Sequence, residues 1–477
     1  MPRFPELHIP SAAAPLGVPV SDRPAGLHIG SHDLPVSAEL SRFMAGGWTP
    51  SPLPADARVS AYDVTPARRA RLSARFPGER LIIPAGELKV RSNDCDFRFR
   101  PHSAYAWLTG LTGEDQVGHV LVLEPAGPHG HEAVLHLRPR SPRAEGNEEF
   151  FRDRRHGEFW VGRRPDVAEA ERLTGIRCEH LDRLGAPAGR NAAEDPELAA
   201  ALSELRLVKD AWEVGQLQLA VDHTTAGFED VVRALPQALA HPRGERWIEG
   251  VFGLRARAEG NGTGYDTIAA AGAHACVLHW IRNDGRLDGD DLLLLDAGVE
   301  TDSLYTADIT RTLPLSGRFS PVQRQVYELV LAAQDAGIAA LRPGASFRDF
   351  HRAGMRVIAE GLAGWGVLKD PAGDLYRRYT LCSSGHMLGL DVHDCARARA
   401  ETYLDGVLEE GQVLTVEPGL YLQPDDETLP AELRGIGVRI EDDLVVTSDG
   451  ARLMSGALPR TVAGIEEWMG ALLDGVR

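Results

Sequence analysis

Long apolar runs are missing from this chain of 477 residues, and so is any surplus of positive charge. No stretch approaches the roughly eighteen consecutive apolar residues that a membrane span needs. The beginning, Met1-Pro-Arg-Phe-Pro-Glu6, has no apolar core followed by a small-residue cleavage site, so no secretory signal is read there. A formal charge of −18 argues against nucleic acid or an anionic membrane as a main partner, since both reward Lys and Arg. Cysteine is scarce as well. Cys95, Cys178, Cys276, Cys382 and Cys395 are odd in number, scattered and never spaced as CxxC, which fits reduced thiols in a cytoplasm. There is no repeat or low-complexity tract. Gly260-Asn-Gly-Thr-Gly264 is glycine-rich but lacks the lysine of a phosphate loop, and the glycosylation-type Asn261-Gly-Thr263 has no secretory context.

What is present is the composition of a globular protein, 43% hydrophobic and 25% charged, in a chain long enough for two domains. Residues 1–55, rich in Pro, Gly, Ala and Ser, read as an irregular arm with a short helix near Ala38–Ala45. A mixed α/β domain is expected over 56–205, with helices near Pro66–Phe76 and Val167–Thr174 and strands at Arg80–Ile83, Val117–Leu123 and Ala133–Leu137. His129-Gly-His131, beside Pro and Gly, reads as a solvated loop. A second domain, 206–477, opens with helices at Asp210–Leu235 and Glu245–Glu259. Further helices are expected at Pro321–Leu341, Phe347–Leu362 and Val462–Leu473, with a strand-rich region at His386–Thr447.

Chemistry concentrates in that second domain. Asp296, Asp308, His386, Glu417 and Glu441 each lie in a short apolar or glycine-bounded segment that reads as a strand. The segments are Leu292-Leu-Leu-Leu-Asp296-Ala-Gly298, Thr306-Ala-Asp308-Ile-Thr-Arg311, Ser384-Gly-His386-Met-Leu-Gly389, Leu414-Thr-Val-Glu417-Pro-Gly419 and Gly437-Val-Arg-Ile-Glu441-Asp442. Each admits a plainer account. Asp296 could be a strand-end turn residue, His386 a hydrogen-bonded core residue, Glu417 an exposed strand end, and Arg439 with Glu441 an ordinary ion pair on one strand face. Together they ask for more. A carboxylate in apolar surroundings costs several kcal/mol without compensation. Four carboxylates and an imidazole brought to one place would repel unless a cation stood among them. Oxygen-rich ligation with one histidine suits Mn²⁺, Co²⁺ or Zn²⁺, and five ligands suit two ions sharing carboxylates. A hairpin carrying Asp296 and Asp308 on neighbouring strands, with Thr306, Asp308 and Thr310 on one face, would bring the first two together.

At these residues the chain resembles the Xaa-Pro aminopeptidases of the creatinase-like, pita-bread metallopeptidase family. The likeness runs through Tyr265-Asp-Thr-Ile268, Val277-Leu-His-Trp280, Leu294-Leu-Asp-Ala-Gly298, Ala307-Asp-Ile-Thr-Arg-Thr312 and His386-Met-Leu-Gly-Leu-Asp-Val-His-Asp394. It continues in Thr415-Val-Glu-Pro-Gly-Leu-Tyr421 and Gly435-Ile-Gly-Val-Arg-Ile-Glu-Asp-Asp443, and in the front half through Phe97-Arg-Phe-Arg-Pro-His-Ser103 and Trp107-Leu-Thr-Gly110. From about residue 56 onward it is continuous. The resemblance implies an α/β (α+β) protein with a C-terminal pita-bread domain behind a smaller mixed α/β domain. It implies two divalent ions, most simply Mn²⁺, on Asp296, Asp308, His386, Glu417 and Glu441, and a bridging hydroxide that hydrolyses the N-terminal Xaa-Pro bond of peptides. Glu417 would double as proton shuttle, His279 and His393 would contact substrate, and Arg439 and Tyr421 would support the ligands. Trp160 matches a tryptophan that reaches a neighbouring subunit's site, which implies a homo-oligomer, dimer or tetramer. One position departs: the family usually has histidine four residues before the metal-type histidine, and this chain has Cys382. That bears on substrate preference rather than hydrolysis. An Xaa-Pro dipeptidase shares the ligands, a methionine aminopeptidase would not need the front domain, and a non-catalytic binding module of the same fold would be expected to have lost ligands.

Overall fold

The computed structural model describes residues 26–475 apart from 31, 128–129 and 186–187. The chain divides into two compact units. The first takes the chain up to Tyr62 and then Gly78–Gly189; the second takes Asp63–Pro77 and everything from Arg190.

In the first unit four strands lie in the order Arg177–His180, Gly130–Leu137, Val120–Ala126, Leu81–Pro84. The inner pairings are antiparallel and the outermost, between Gly130–Leu137 and Arg177–His180, is parallel. Leu81, Ile82 and Ile83 are all buried, as are all residues of the helix Ser103–Thr109, so this sheet is not left open to water at that strand. The helix Val167–Thr174 is fixed at its start by a reciprocal cap between Asp166 and Glu169 and stops at Gly175, whose left-handed backbone (φ +66°) suits glycine. The central hairpin runs further than its hydrophobic residues suggest, because Glu124, Pro125 and Ala126 still pair with Glu132, His131 and Gly130. His131 is therefore on a strand, not in a solvated loop, with Nε2 2.6 Å from the Glu79 carbonyl; His129 lies outside the described residues. Among the described residues of the arm, the one helix is Ala38–Met44, capped by the Ser37 side chain. Further on, Leu53 donates its N–H to Glu169.

The second unit is built around three antiparallel strands, Ile309–Pro314, Leu292–Ala297 and Ile268–Ala271, in that order. Leu292, Leu293, Leu294 and Leu295 on the central strand are at most 4% exposed, each contributing about 1.5–3 kcal/mol by burial. That anchoring carries Asp296 into the interior at the strand's end. A second group pairs Val413–Val416 with Asp442–Thr447 and then Gly450–Leu453, and Gly419–Leu422 pairs with Ile436–Arg439. Four long helices, Ala211–Ala240, Gly244–Glu259, Pro321–Ala340 and Asp349–Gly364, complete the body. Asp210 with Glu213 and Ser320 with Gln323 form reciprocal caps at two of their starts.

Of the five candidate ligands, only Asp296 lies within a strand. Asp308 immediately precedes Ile309–Pro314, Glu417 follows Val413–Val416, Glu441 stands between Ile436–Arg439 and Asp442–Thr447, and His386 is on irregular backbone. A regular ladder would have committed these side chains to alternating faces. Instead their N–H groups cross-link separate segments. Asp308 donates to Asp443 Oδ2, Glu417 to the Ser384 carbonyl and Glu441 to the Thr310 carbonyl. Two glycines allow the approach. A Cβ on Gly298 would lie 1.7 Å from the Ala307 carbonyl oxygen, and one on Gly385 would lie 2.2 Å from that of Thr415.

Candidate metal centre

Strand ends from all three groups converge on a cavity of about 530 Å³. Asp296, Asp308, His386, Glu417 and Glu441 line it together with His279, His393, Cys382, Tyr421 and Arg439. Trp160 is not among its lining residues: it lies in the first unit, 45% exposed, with its indole N–H donating to the Phe151 carbonyl.

Asp296 pairs across the ladder with Thr310, and Asp308, two residues before Thr310, shares its face. The Tyr265 hydroxyl lies 2.6 Å from Oδ1 of both aspartates and joins them. The other oxygen of Asp296 accepts from Arg439, whose remaining guanidinium nitrogens donate to Thr310 Oγ1 at 3.1 Å and Tyr421 Oη at 2.9 Å. Thr310 in turn donates to Glu441 Oε2 at 2.7 Å. His386 Nε2 stands 3.3 Å from Asp308 and 3.5 Å from Glu417, while its Nδ1 is 3.2 Å from the Met387 carbonyl. The candidate ligand atoms of Asp308, His386 and Glu441 lie within 4.8 Å of one another.

Burial dominates the electrostatics. It pushes Glu417 up to about 7, with Asp308 adding to the rise against the opposing charge of His386. Burial and the neighbouring Asp308, Glu417 and Asp296 push Glu441 well above the carboxylate range, and burial raises Asp296 despite Arg439. For His386 burial works downward, but the Asp308 hydrogen bond and the negative charge of Glu417 and Asp308 prevail and lift it to about 9. Without a cation the cluster must hold protons to offset its charge. One atom tests the fit: Glu441 Oε1 is buried and has no hydrogen-bond partner, while Oε2 is satisfied by Thr310. A buried carboxylate oxygen without a partner, on a residue clustered with Asp308 and His386, suits a divalent cation.

His393, on a bend, sets its ring edge-on to His386 with centroids 4.4 Å apart, and burial followed by the charge of His386 lowers its pKa. His279 is exposed in a turn after the Gly272–Cys276 segment. Leu278, Ile281 and Val392 give the cavity an apolar side suited to a proline ring. Sequence reasoning gave no role to Tyr265, Thr310 or Asp443, the last with a buried, unpartnered Oδ1. Tyr265 opens one of the motifs that carry the resemblance, but its stretch is aperiodic and gave it no role, whereas Thr310 was already on the face of Asp308.

A second group, His28, Asp153 and His156, also clusters. Here the carboxylate is already satisfied. Asp153 Oδ1 accepts from the N–H groups of Arg155 and His156, and Oδ2 from that of His28, whose Nδ1 is 3.2 Å away. It fastens the arm within the first unit.

Comparison with known proteins identifies the family. Residues 216–448 match metallopeptidase family M24, and residues 66–194 match the aminopeptidase P N-terminal domain. The chain is 52% identical over 492 aligned positions to Xaa-Pro aminopeptidase 1 of Streptomyces coelicolor, covering 97% of each. It is 34% identical to the Xaa-Pro aminopeptidase of Haemophilus influenzae over 84% of this chain and 96% of that one. Among solved structures, the Pseudomonas aeruginosa aminopeptidase PepP superposes with a TM-score of 0.74 at 30% identity, covering 89% of this chain and 99% of that one. Escherichia coli aminopeptidase P with the inhibitor Pro-Leu gives 0.73 at 27% identity, covering 89% and 100%. The two domains, the pita-bread fold and the converging acidic site place the chain in the Xaa-Pro aminopeptidase family, within the M24 metallopeptidases.

Proposed function

We propose that this protein is an exopeptidase that removes the N-terminal residue of peptides whose second residue is proline. It would use two divalent ions, Mn²⁺ before Zn²⁺ or Co²⁺, held by Asp296, Asp308, His386, Glu417 and Glu441. The observation that carries the reading is Glu441, clustered with Asp308 and His386 and left with one buried oxygen, Oε1, that has no hydrogen-bond partner. Bound there, divalent ions supply Lewis acidity and a nucleophilic water near neutral pH.

The protein's residues do the rest. Glu417, on the cavity wall with its carboxylate 3.5 Å from His386 Nε2, would take a proton from water and deliver it to the leaving proline nitrogen. His279 and His393 line the cavity and donate hydrogen bonds to the tetrahedral intermediate. Arg439, braced by Asp296, Thr310 and Tyr421, fixes the carboxylates rather than touching substrate. The Xaa-Pro bond is a tertiary amide without N–H, so a site that acts on the carbonyl side needs no donor from it. The acidic wall receives the substrate's free amino group, which makes the enzyme an exopeptidase.

In the same reading, 1–55 is an arm, 56–205 the front domain and 206–477 the catalytic domain, supported by matches over 66–194 and 216–448. No helix among the described residues is long and apolar enough to cross a membrane. The enzyme works in the cytoplasm, as a homo-oligomer in which Trp160 approaches a neighbouring subunit's site, with Cys382 modulating substrate preference. With Mn²⁺ present, Xaa-Pro-Xaa tripeptides release their first residue. Cleavage of Xaa-Pro dipeptides alone would make it a dipeptidase, and absence of turnover on both would favour a binding module.

A further inference from the structure

A second cavity, of about 500 Å³, lies in the same unit and shares Cys382 and Ser383 with the wall of the metal centre. The mechanism above makes no use of it. Its floor is apolar, with Phe347 and Phe350 buried in the core. Its rim is cationic. Arg348 and Arg352 meet Asp405 and Asp349 at 2.9 Å and 3.1 Å, in pairs exposed enough to be worth little and to leave donors over. Arg377 enters no ion pair or side-chain hydrogen bond among the described residues, and Asp374 is the acid on the wall. His351 adds a neutral donor. Its Nδ1 accepts from the Ser384 N–H and lies 3.0 Å from Ser384 Oγ, which leaves the ring proton on Nε2. Burial and then the charges of Arg377, Arg348 and Arg352 lower its pKa, so the field of the guanidiniums reaches this wall.

We propose that this cavity is the subsite for the part of the peptide beyond proline, and that it selects a carboxylate there. The inference rests on the Xaa-Pro exopeptidase reading and deepens it. A short peptide is a dipole, with an ammonium at one end and a carboxylate at the other. Acidic side chains gather at the centre and guanidiniums in the adjoining cavity, so the two cavities match that dipole in one direction. Arg377, Arg352 and His351 then act as specificity residues, through guanidinium and imidazole N–H donors to a carboxylate. Either the C-terminal carboxylate or an acidic side chain after proline offers this chemistry.

The test compares kcat/KM of the Mn²⁺-loaded full-length protein on Ala-Pro-Ala-Ala as the free acid and as the C-terminal amide. Ala-Pro-Glu-Ala amide against Ala-Pro-Gln-Ala amide separates the side-chain source from the terminal one. The free acid, the Glu peptide or both exceed their neutral partner by about fivefold, mainly through KM, the scale of one exposed ion pair. In the double variant Arg352→Gln, Arg377→Glu that ratio falls to about one or below. The wild-type ratios stand without any variant, so a misfolded variant does not remove the test. Equal kcat/KM across both comparisons, in an enzyme that cleaves all four peptides, overturns the subsite while leaving the exopeptidase intact. No cleavage of any of them refutes the exopeptidase reading and this inference with it.

Discussion

Glu417→Gln lowers kcat on Xaa-Pro-Xaa peptides by about 10²–10⁴-fold, the span of a lost general acid–base contribution. The substitution keeps shape and one carbonyl oxygen at the cavity wall but removes the group that titrates. Glu417 is placed for the work on the cavity wall, its carboxylate 3.5 Å from His386 Nε2, where it would accept a proton and return it within one turnover. The neutral amide cannot. Substrate affinity should change far less than kcat, since His279, His393 and the apolar side of the cavity are untouched. Steady-state kinetics with substrate in excess would read the two separately. A variant within tenfold of wild type would remove Glu417 from proton transfer.

Exhaustive chelation abolishes turnover, and Mn²⁺ restores it. It also destabilises the fold, because ions that bind only the native state contribute RT ln(1 + [L]/Kd), about 2.7 kcal/mol at a hundredfold excess over Kd. The pH dependence has a definite sign. In the metal-free protein Glu417 titrates near 7 and His386 near 9, and both must be deprotonated to serve as ligands. Adding Mn²⁺ at pH 7 therefore releases protons, and affinity weakens as the pH falls below about 9, where His386 gains its proton, and more steeply below 7, where Glu417 does. Calorimetric titration in two buffers of different ionisation enthalpy measures the proton count. Full activity after chelation, or binding without proton release, would contradict the account.

The candidate site was legible because it is written in short segments with strong local character. Four leucines ahead of Asp296 and a glycine after it announce a buried strand end, and Pro418-Gly419 announces the turn beyond Glu417. Helix limits were legible where caps are explicit, as at Asp210, Ser320 and Asp166. What escaped was the shape of backbone between elements. Asp308, His386, Glu417 and Glu441 were expected in strand segments but stand outside the strands, because the N–H groups around the site bond across segments remote in sequence. The role of Tyr265, though not its motif, escaped for the same reason: its hydroxyl joins two aspartates 31 and 43 residues away, and no local period encodes that. The hairpin past Leu123 was missed because ladder bonds, not hydrophobic residues, extend it.

The central claim is that these side chains gather around a pair of divalent cations. Crystals of the full chain grown with Mn²⁺, with data collected to record manganese anomalous scattering, test it most directly. The account predicts two anomalous peaks per chain among Asp296, Asp308, His386, Glu417 and Glu441, with Glu441 Oε1 in contact with one of them. No peak there at saturating Mn²⁺, with those carboxylates contacting only protein and water, would contradict it.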